Sequence, residues 1–364
     1  MYEFINYLIL VITPIAICFS ILISPDPKLD YSLFYEHDWT ALLQGQNPYN
    51  YWLLGVHGEC LYPPGFLIFG GLYYFYSLLP KAFFCLIWML TIYVFNRICK
   101  KNEISDKNTF YSIGLFLFNP LYFMNGLSAG HFDVVVGLCV LLAVYSIEES
   151  DQLKSGIYAS LAFLFKFVGL VLLFPLIFTK RRVNWKLGII AVAICGGAYL
   201  LGFILWGSIV FDPFLVHIFR NPEGSSIILF INKILGFNII PFILPALIIG
   251  VIIISIYFYF KNNDISTYSL ILVILFILIL PVFWIQYCFW FFPLLIYWSI
   301  THKYKIRWLL IFSLAIFIIA VIFYYFPPFP SIPLYSVFTF LGVLVIVLLI
   351  FLNRKKDENL LLRK

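Results

Sequence analysis

The chain has 364 residues, 63% of them hydrophobic and only 11% charged, with a mean hydropathy of +1.01 and a formal net charge of +6. Apolar runs of 15 to 23 residues recur along it, which excludes a soluble globular domain and implies one all-α polytopic membrane domain, 1–364. Seven cysteines (18, 60, 85, 99, 139, 195 and 288) form no CxxC pair and sit mostly in apolar sequence, so neither a disulfide framework nor a metal cluster is expected.

In chain order, the first apolar segment, 4–24, has no basic leader and no small-residue cleavage site, and reads as a retained span. A polar island at 25–64 follows, carrying five acids and two histidines. Residues 65–79 are apolar enough to insert, but a full span there would put Arg97, Lys100 and Lys101 outside. A re-entrant or interfacial helix in a first extracytoplasmic loop, 25–81, satisfies both constraints. Further apolar segments fall at 82–98, 108–125, 133–147, 155–166, 168–179, 187–207, 238–260, 265–283, 289–300, 308–326 and 337–353, giving about twelve spans with the first. The halves of 155–179 reach only about 18 Å each, short of a ~30 Å hydrocarbon core, and read as a tight hairpin of two short helices with Lys166 near its outer tip. With both termini cytoplasmic, 18 of the 23 Lys and Arg residues fall on inside connections, as the positive-inside rule requires.

The outer face then holds polar islands at 25–64, 125–133, 208–226 and 281–290. Asp38 lies in a short amphipathic stretch, 33–45, beside Glu36 and His37. It reads either as a general base toward a hydroxyl or as an interfacial acid placed for the helix dipole. Asp133 in Gly130-His131-Phe132-Asp133 reads as the N-cap of the next helix or, with His131, as a group that binds a sugar hydroxyl. Arg220, with His217 three residues before it, suits a phosphate or a rim salt bridge to Glu223 or Asp212. Lys166 and Lys233 are embedded in apolar sequence, where snorkelling and phosphate contact are the competing readings. Gln286 and Tyr287 interrupt an apolar segment and suit a cavity lining, while Trp284 and Trp290 read as interfacial belt. P-loop, GxSxG, HExxH and GxGxxG motifs are absent, and the basic inside loops lack the aromatic interleaving of a nucleic-acid binder.

The order of Asp38, GQNPY (Gly45–Tyr49) and YPPG (Tyr62–Gly65) resembles the GT-C superfamily of polyprenyl-phosphate-sugar-dependent glycosyltransferases. The stretch FNPLYFMNGLSAGHFDVVVG and the later SGIYASLAFLFKFVGLVLLFPLIF, HIFRNPEGSSIILF and WIQYCFWFFPLL are similar to further blocks of that superfamily. Glycosyltransferase family 87 and the GPI mannosyltransferase I type enzymes are the nearest in pattern, and the similarity spans most of residues 30 to 300. The resemblance implies a GT-C-like helical bundle whose active site faces away from the cytoplasm. It implies transfer of a hexose, mannose foremost, from a polyprenyl (dolichyl) phosphate donor to a lipid-linked or glycolipid acceptor, with inversion. Asp38 maps onto the catalytic base and Arg220 onto the donor-phosphate grip, with Lys166, Lys233 and His217 as further phosphate contacts. His131, Asp133, Gln286, Tyr287, Glu36 and His37 are then the acceptor- or sugar-binding set, and no metal or cofactor is expected. Many members of the superfamily carry two close acids in the first loop, whereas the nearest companion of Asp38 is Glu36. The competing readings are a transporter or flippase of lipid-linked sugars, which would place charges at the midplane, and a non-catalytic subunit of a larger transferase.

Overall fold

The computed structural model describes residues 35–49, 62–117, 130–179, 182–214, 240–260, 264–280 and 285–302, with shorter stretches within 12–22, at 127, within 223–236 and at 282–283. The spans expected at 308–326 and 337–353, and most of 4–24, lie outside the described residues.

The described residues are helical nearly throughout, as an all-α membrane protein requires. In order, α1 is His37–Leu43, α2 Leu67–Phe75, α3 Leu79–Lys101, α4 Asp106–Leu117, α5 Asp133–Glu148, α6 Gln152–Phe165 and α7 Val168–Ile177. Helix α8, Trp185–Ala191, passes through a π turn, Val192–Gly196, into α9, Gly197–Trp206. Helices α10, Ile240–Phe260, α11, Ile265–Ile279, and α12, Phe292–Thr301, follow. Among the described residues, extended structure is limited to two short pairs: Phe178–Thr179 with Arg182–Val183, antiparallel, and Glu223–Gly224 with Val282–Phe283, parallel.

Leu79–Lys101 and the run Trp185–Phe214 are each long and apolar enough to cross a membrane. Helix α3 begins with Pro80 in its first turn, where a missing N–H costs nothing, and ends on Lys100 and Lys101, which suit the negative partial charge of the C-terminal end. It buries Phe84, Trp88, Phe95 and Cys99 on one face and exposes Leu86, Leu90 and Tyr93 on the other. Ile189, Val192, Leu200 and Ile204 of the α8–α9 run, and Phe242, Ile253 and Phe260 of α10, are likewise exposed. Apolar side chains turned outward along whole helices suit a lipid solvent, whereas water would drive them inward.

The described part of residues 35–79 forms two short helices, α1 and α2. Helix α1 ends on a Schellman turn: Gly45, at φ +68°, donates to the Leu42 carbonyl (3.0 Å), and Gln46 donates to Ala41 (2.8 Å). Helix α2 has nine residues, about 14 Å, too short to cross a bilayer. It ends on exposed Tyr74, Phe75 and Tyr76, as an interfacial or re-entrant element would. Gly70 and Gly71 let α2 lie against α1, since a Cβ on Gly70 would stand 2.8 Å from the Tyr35 carbonyl and one on Gly71 3.2 Å from the Trp39 ring.

The stretch 155–179 is the expected hairpin. Helices α6 and α7 are separated by Lys166, whose extended backbone (φ −151°, ψ 143°) breaks the helix. Gly169 seats α7 directly on α6: a Cβ there would meet the Phe163 amide at 2.1 Å and the Ala159 carbonyl at 2.6 Å. Helix α5 is the centre of the bundle, buried from Val134 through Leu141 on all sides.

Polar groups gather at the two ends of the helices. Lys101 pairs with Glu149, Tyr297 donates to Glu148, and His302 stands 3.4 Å from Asp264, all beside the C-terminal end of α5 or the short turns that share that level. Asp151 caps α6 by accepting from the Lys154 amide at 3.0 Å. These are the connections read as inside loops; at the other end of α5, among the described residues, Asp133 meets Lys166 and Tyr35 reaches the Gly130 carbonyl.

Candidate active site

Three stretches that are far apart in sequence meet at the N-terminal end of α5. Tyr35, just ahead of α1, donates its hydroxyl to the Gly130 carbonyl at 2.9 Å. Gly130 adopts φ +69°, a left-handed turn that suits glycine and delivers the chain into His131, Phe132 and Asp133. The YPPG segment closes the third side. Gly65 packs on the end of α6, where a Cβ would stand 2.7 Å from the Leu164 carbonyl, and Tyr62 lies tilted against Phe66 at 4.2 Å and edge-on to Phe132 at 5.1 Å. Phe66, Phe69 and Phe132 fill the space between, with Phe66 5.4 Å from the Tyr35 ring and 5.0 Å from Phe132. GQNPY lies against the end of α9: Asn47 turns the chain by accepting from the Tyr49 amide at 2.9 Å and donates to the Trp206 carbonyl at 3.3 Å.

At the centre is a buried ion pair. Asp133 is 1% exposed and Lys166 4%. The Lys166 Nζ stands 3.7 Å from Asp133 Oδ1, and the same oxygen accepts the Trp290 indole N–H at 2.6 Å. Four rings wall the ammonium: Tyr62 at 4.6 Å, Tyr287 at 4.8 Å, Phe132 at 4.9 Å and Trp290 at 5.5 Å from their centroids. Tyr287 and Trp290 stack on each other at 4.3 Å. Both belong to the turn Ile285–Trp290, which Gly137 admits against α5. An ammonium in such a site loses its water, and the ring faces and one carboxylate replace that hydration in part.

Several expectations change here. Asp133 is not an N-cap: Phe132 holds that position without a side-chain bond, and the Asp133 carboxylate is turned to Trp290 and Lys166. Lys166 does not snorkel to water, because its tip is enclosed by rings. Trp290 is 3% exposed and bonded to an acid, so it is not part of an interfacial belt.

The remaining candidates distribute as follows. Asp38 is 1% exposed, with His37 Nδ1 3.9 Å from its Oδ1. Glu36, at the N-cap of α1, is exposed. Asp38 is therefore enclosed while its acidic companion faces away. Tyr35, three residues before Asp38, ties it to the Asp133 segment. His131 is half-buried between Gly130 and Phe132. Gln286 falls in the Ile285–Trp290 turn. Arg220, His217, Lys233 and Trp284 lie outside the described residues. Sequence reasoning missed Tyr35 and Lys81, the latter wholly buried in the first turn of α3. A lysine directly after a proline at the start of an apolar run was the available signal for Lys81.

Comparison with curated proteins finds no significant relative. A family model, glycosyltransferase family 87, matches residues 61–281, which include Tyr62, Asp133 and Lys166. Asp38, Tyr287 and Trp290 lie beyond that match and join it only through the fold. The matched region covers more than half of the chain, and the protein therefore belongs to glycosyltransferase family 87.

Proposed function

We propose that the protein transfers a hexose, mannose foremost, from a polyprenyl-phosphate donor to a lipid-linked or glycolipid acceptor at the extracytoplasmic face. The observation that supports this reading is the buried Asp133–Lys166 pair at the end of the bundle to which Tyr35, three residues before the buried Asp38, ties the first loop through the Gly130 carbonyl. Membership of a glycosyltransferase family supplies the reaction class.

In this reading Asp38 takes the proton of the acceptor hydroxyl as its oxygen attacks the anomeric carbon. The bond from that carbon to the phosphate oxygen breaks on the opposite side, so configuration inverts. Polyprenyl phosphate leaves with its charge stabilised by cationic groups at the headgroup level. Arg220, His217 and Lys233 are assigned to that phosphate, and Lys166 contributes positive charge from within its cage. Asp133, His131, Gln286 and Tyr287 hold sugar hydroxyls, with Glu36 and His37 at the acceptor side. Asp38 is favoured over Asp133 as base because one Asp133 oxygen is already engaged by an ammonium and an indole donor, which hold the carboxylate in a fixed orientation.

The test is sugar transfer in proteoliposomes from polyprenyl-phosphate mannose to a panel of lipid acceptors. Asp38→Asn is expected to lose transfer while still binding donor. Full transfer by that variant would move the base to another residue, and transfer from a different sugar donor alone would correct the substrate.

A further inference from the structure

Trp290 lies nine residues beyond the family match, and its spacing reads as a membrane-belt aromatic, yet it is 3% exposed and gives its only ring donor to the buried Asp133. We propose that Trp290 is a positioning residue for sugar transfer, acting through Asp133. The inference rests on the glycosyltransferase reading above.

The argument is geometric. Among the described residues, the two groups that address Asp133, the Trp290 N–H at 2.6 Å and the Lys166 ammonium at 3.7 Å, both go to Oδ1. A carboxylate fixed through one oxygen offers its other oxygen in a single direction, which is the arrangement needed to hold a sugar hydroxyl in one orientation. Trp290 cannot swing away, because its ring is stacked on Tyr287 at 4.3 Å and also faces the Lys166 ammonium. One side chain thus fixes the acid through its N–H and the cation through its ring face. Phenylalanine at this position keeps a ring face but lacks the donor. Loss of the N–H frees Asp133 to follow Lys166 alone, across a gap too long for a well-formed hydrogen bond.

The experiment is a double-mutant cycle on the full chain in proteoliposomes, with Trp290→Phe, Asp133→Asn and the double variant beside wild type, using polyprenyl-phosphate mannose as donor. Trp290→Phe is expected to lower kcat by about 10- to 100-fold, the range that a misplacement of about 1 Å produces. The donor KM should stay near wild type, because the N–H that is removed contacts Asp133 and not the groups assigned to the lipid tail and phosphate. The double variant should be no slower than Asp133→Asn alone, since phenylalanine keeps a ring face toward Lys166 and Tyr287 and removes only the N–H, whose partner is that acid. Losses that multiply in the double variant would show that Trp290 acts by packing and would overturn the proposal, as would a full rate for Trp290→Phe. Should the phenylalanine variant fold poorly, Trp290→benzothienylalanine exchanges the N–H for sulfur within the same bicyclic shape, and an unchanged kcat there would also overturn it. A wild type that transfers no sugar from any donor removes the glycosyltransferase reading, and the proposal with it. A wild type that transfers normally beside an unimpaired Trp290 variant sinks the proposal alone.

Discussion

Gly137→Ala perturbs the site without touching a polar atom, and its size follows from the geometry. A Cβ at position 137 would stand 2.2 Å from the Phe289 carbonyl oxygen and 3.3 Å from Pro293 Cγ. Ordinary contact begins near 3.4 Å, so the turn that carries Trp290 must move back from α5 by about 1.2 Å. The neighbour that must yield is backbone, which cannot rotate out of the way as a side chain can. The Asp133–Trp290 bond, 2.6 Å long, connects the two elements being separated, and an added 1.2 Å takes it beyond the hydrogen-bonding range. Overpacking of this kind costs about 1–3 kcal/mol, to which the lost charge-assisted bond adds about 1.5–3 kcal/mol. Unfolding in mixed detergent micelles should therefore show a loss of several kcal/mol, and sugar transfer should fall with it. Gly114→Ala is the matched control: a Cβ there meets nothing within 4 Å, and alanine in a helix stabilises by about 0.4–1 kcal/mol. A Gly137→Ala variant as stable and as active as the Gly114→Ala control would refute the close approach of α5 and the Ile285–Trp290 turn.

The remaining predictions concern the ion pair, the hairpin and the opposite end. Lys166→Met keeps the length of the side chain but leaves Asp133 buried without its cation, and should cost about 3–5 kcal/mol in the same unfolding assay; adding Asp133→Leu to it should restore most of the loss. Gly169→Ala places a methyl 2.1 Å from the Phe163 amide and should open the α6–α7 hairpin, read as new protease sensitivity around Lys166. Asp264 caps α11 and is held below the usual carboxylate value: burial pushes it up, but the His302 imidazole and the donors of Ser266 and Thr267 outweigh that. A depressed acid contributes stability that is complete above its ordinary value of about 3.9 and is lost as pH falls through the lower folded value. Asp264→Asn should thus be less stable than wild type near neutral pH, and the gap should close only in strong acid; a gap constant over the whole range would contradict that ionic role.

Features set by length and charge were legible before any coordinates. The hairpin at 155–179 followed from two segments each too short to cross a bilayer, and the structure places Lys166 at the break between them. That the apolar stretch after YPPG is not a full span followed from basic residues that such a span would have stranded outside, and α2 is nine residues long. What stayed hidden was facing. In a soluble helix the polar stripe names the outer side, but here both sides are apolar, and α5 carries no stripe that marks the side meeting the Ile285–Trp290 turn. Asp133 therefore looked like a cap and Trp290 like a belt residue, because the bond joining them spans 157 positions and leaves no local pattern. Gly137 and Gly169 were similarly mute: a glycine in an apolar run does not announce which backbone it admits.

The same property of lipid explains why acids sit where they do. Between helices in a bilayer apolar surface gains little by association, so tight packing and polar links must do what water does for soluble cores. Helix α5 meets the segment from Ile285 to Thr301 in both ways. Gly137 allows backbone contact in the upper half, and an acid at each end accepts from an aromatic donor on the facing segment, Asp133 from Trp290 and Glu148 from Tyr297. The two links are not equivalent. Glu148 lies among Asp264, Tyr297 and His302, near the helix ends that carry the basic loops, and ties elements together at a level water reaches. Asp133 is sealed among rings with a buried lysine, an arrangement that adds little stability over well-packed apolar residues of the same volume. A charge pair that stability does not require, at the helix ends tied to the first loop by Tyr35, is the feature on which the proposed transfer site rests.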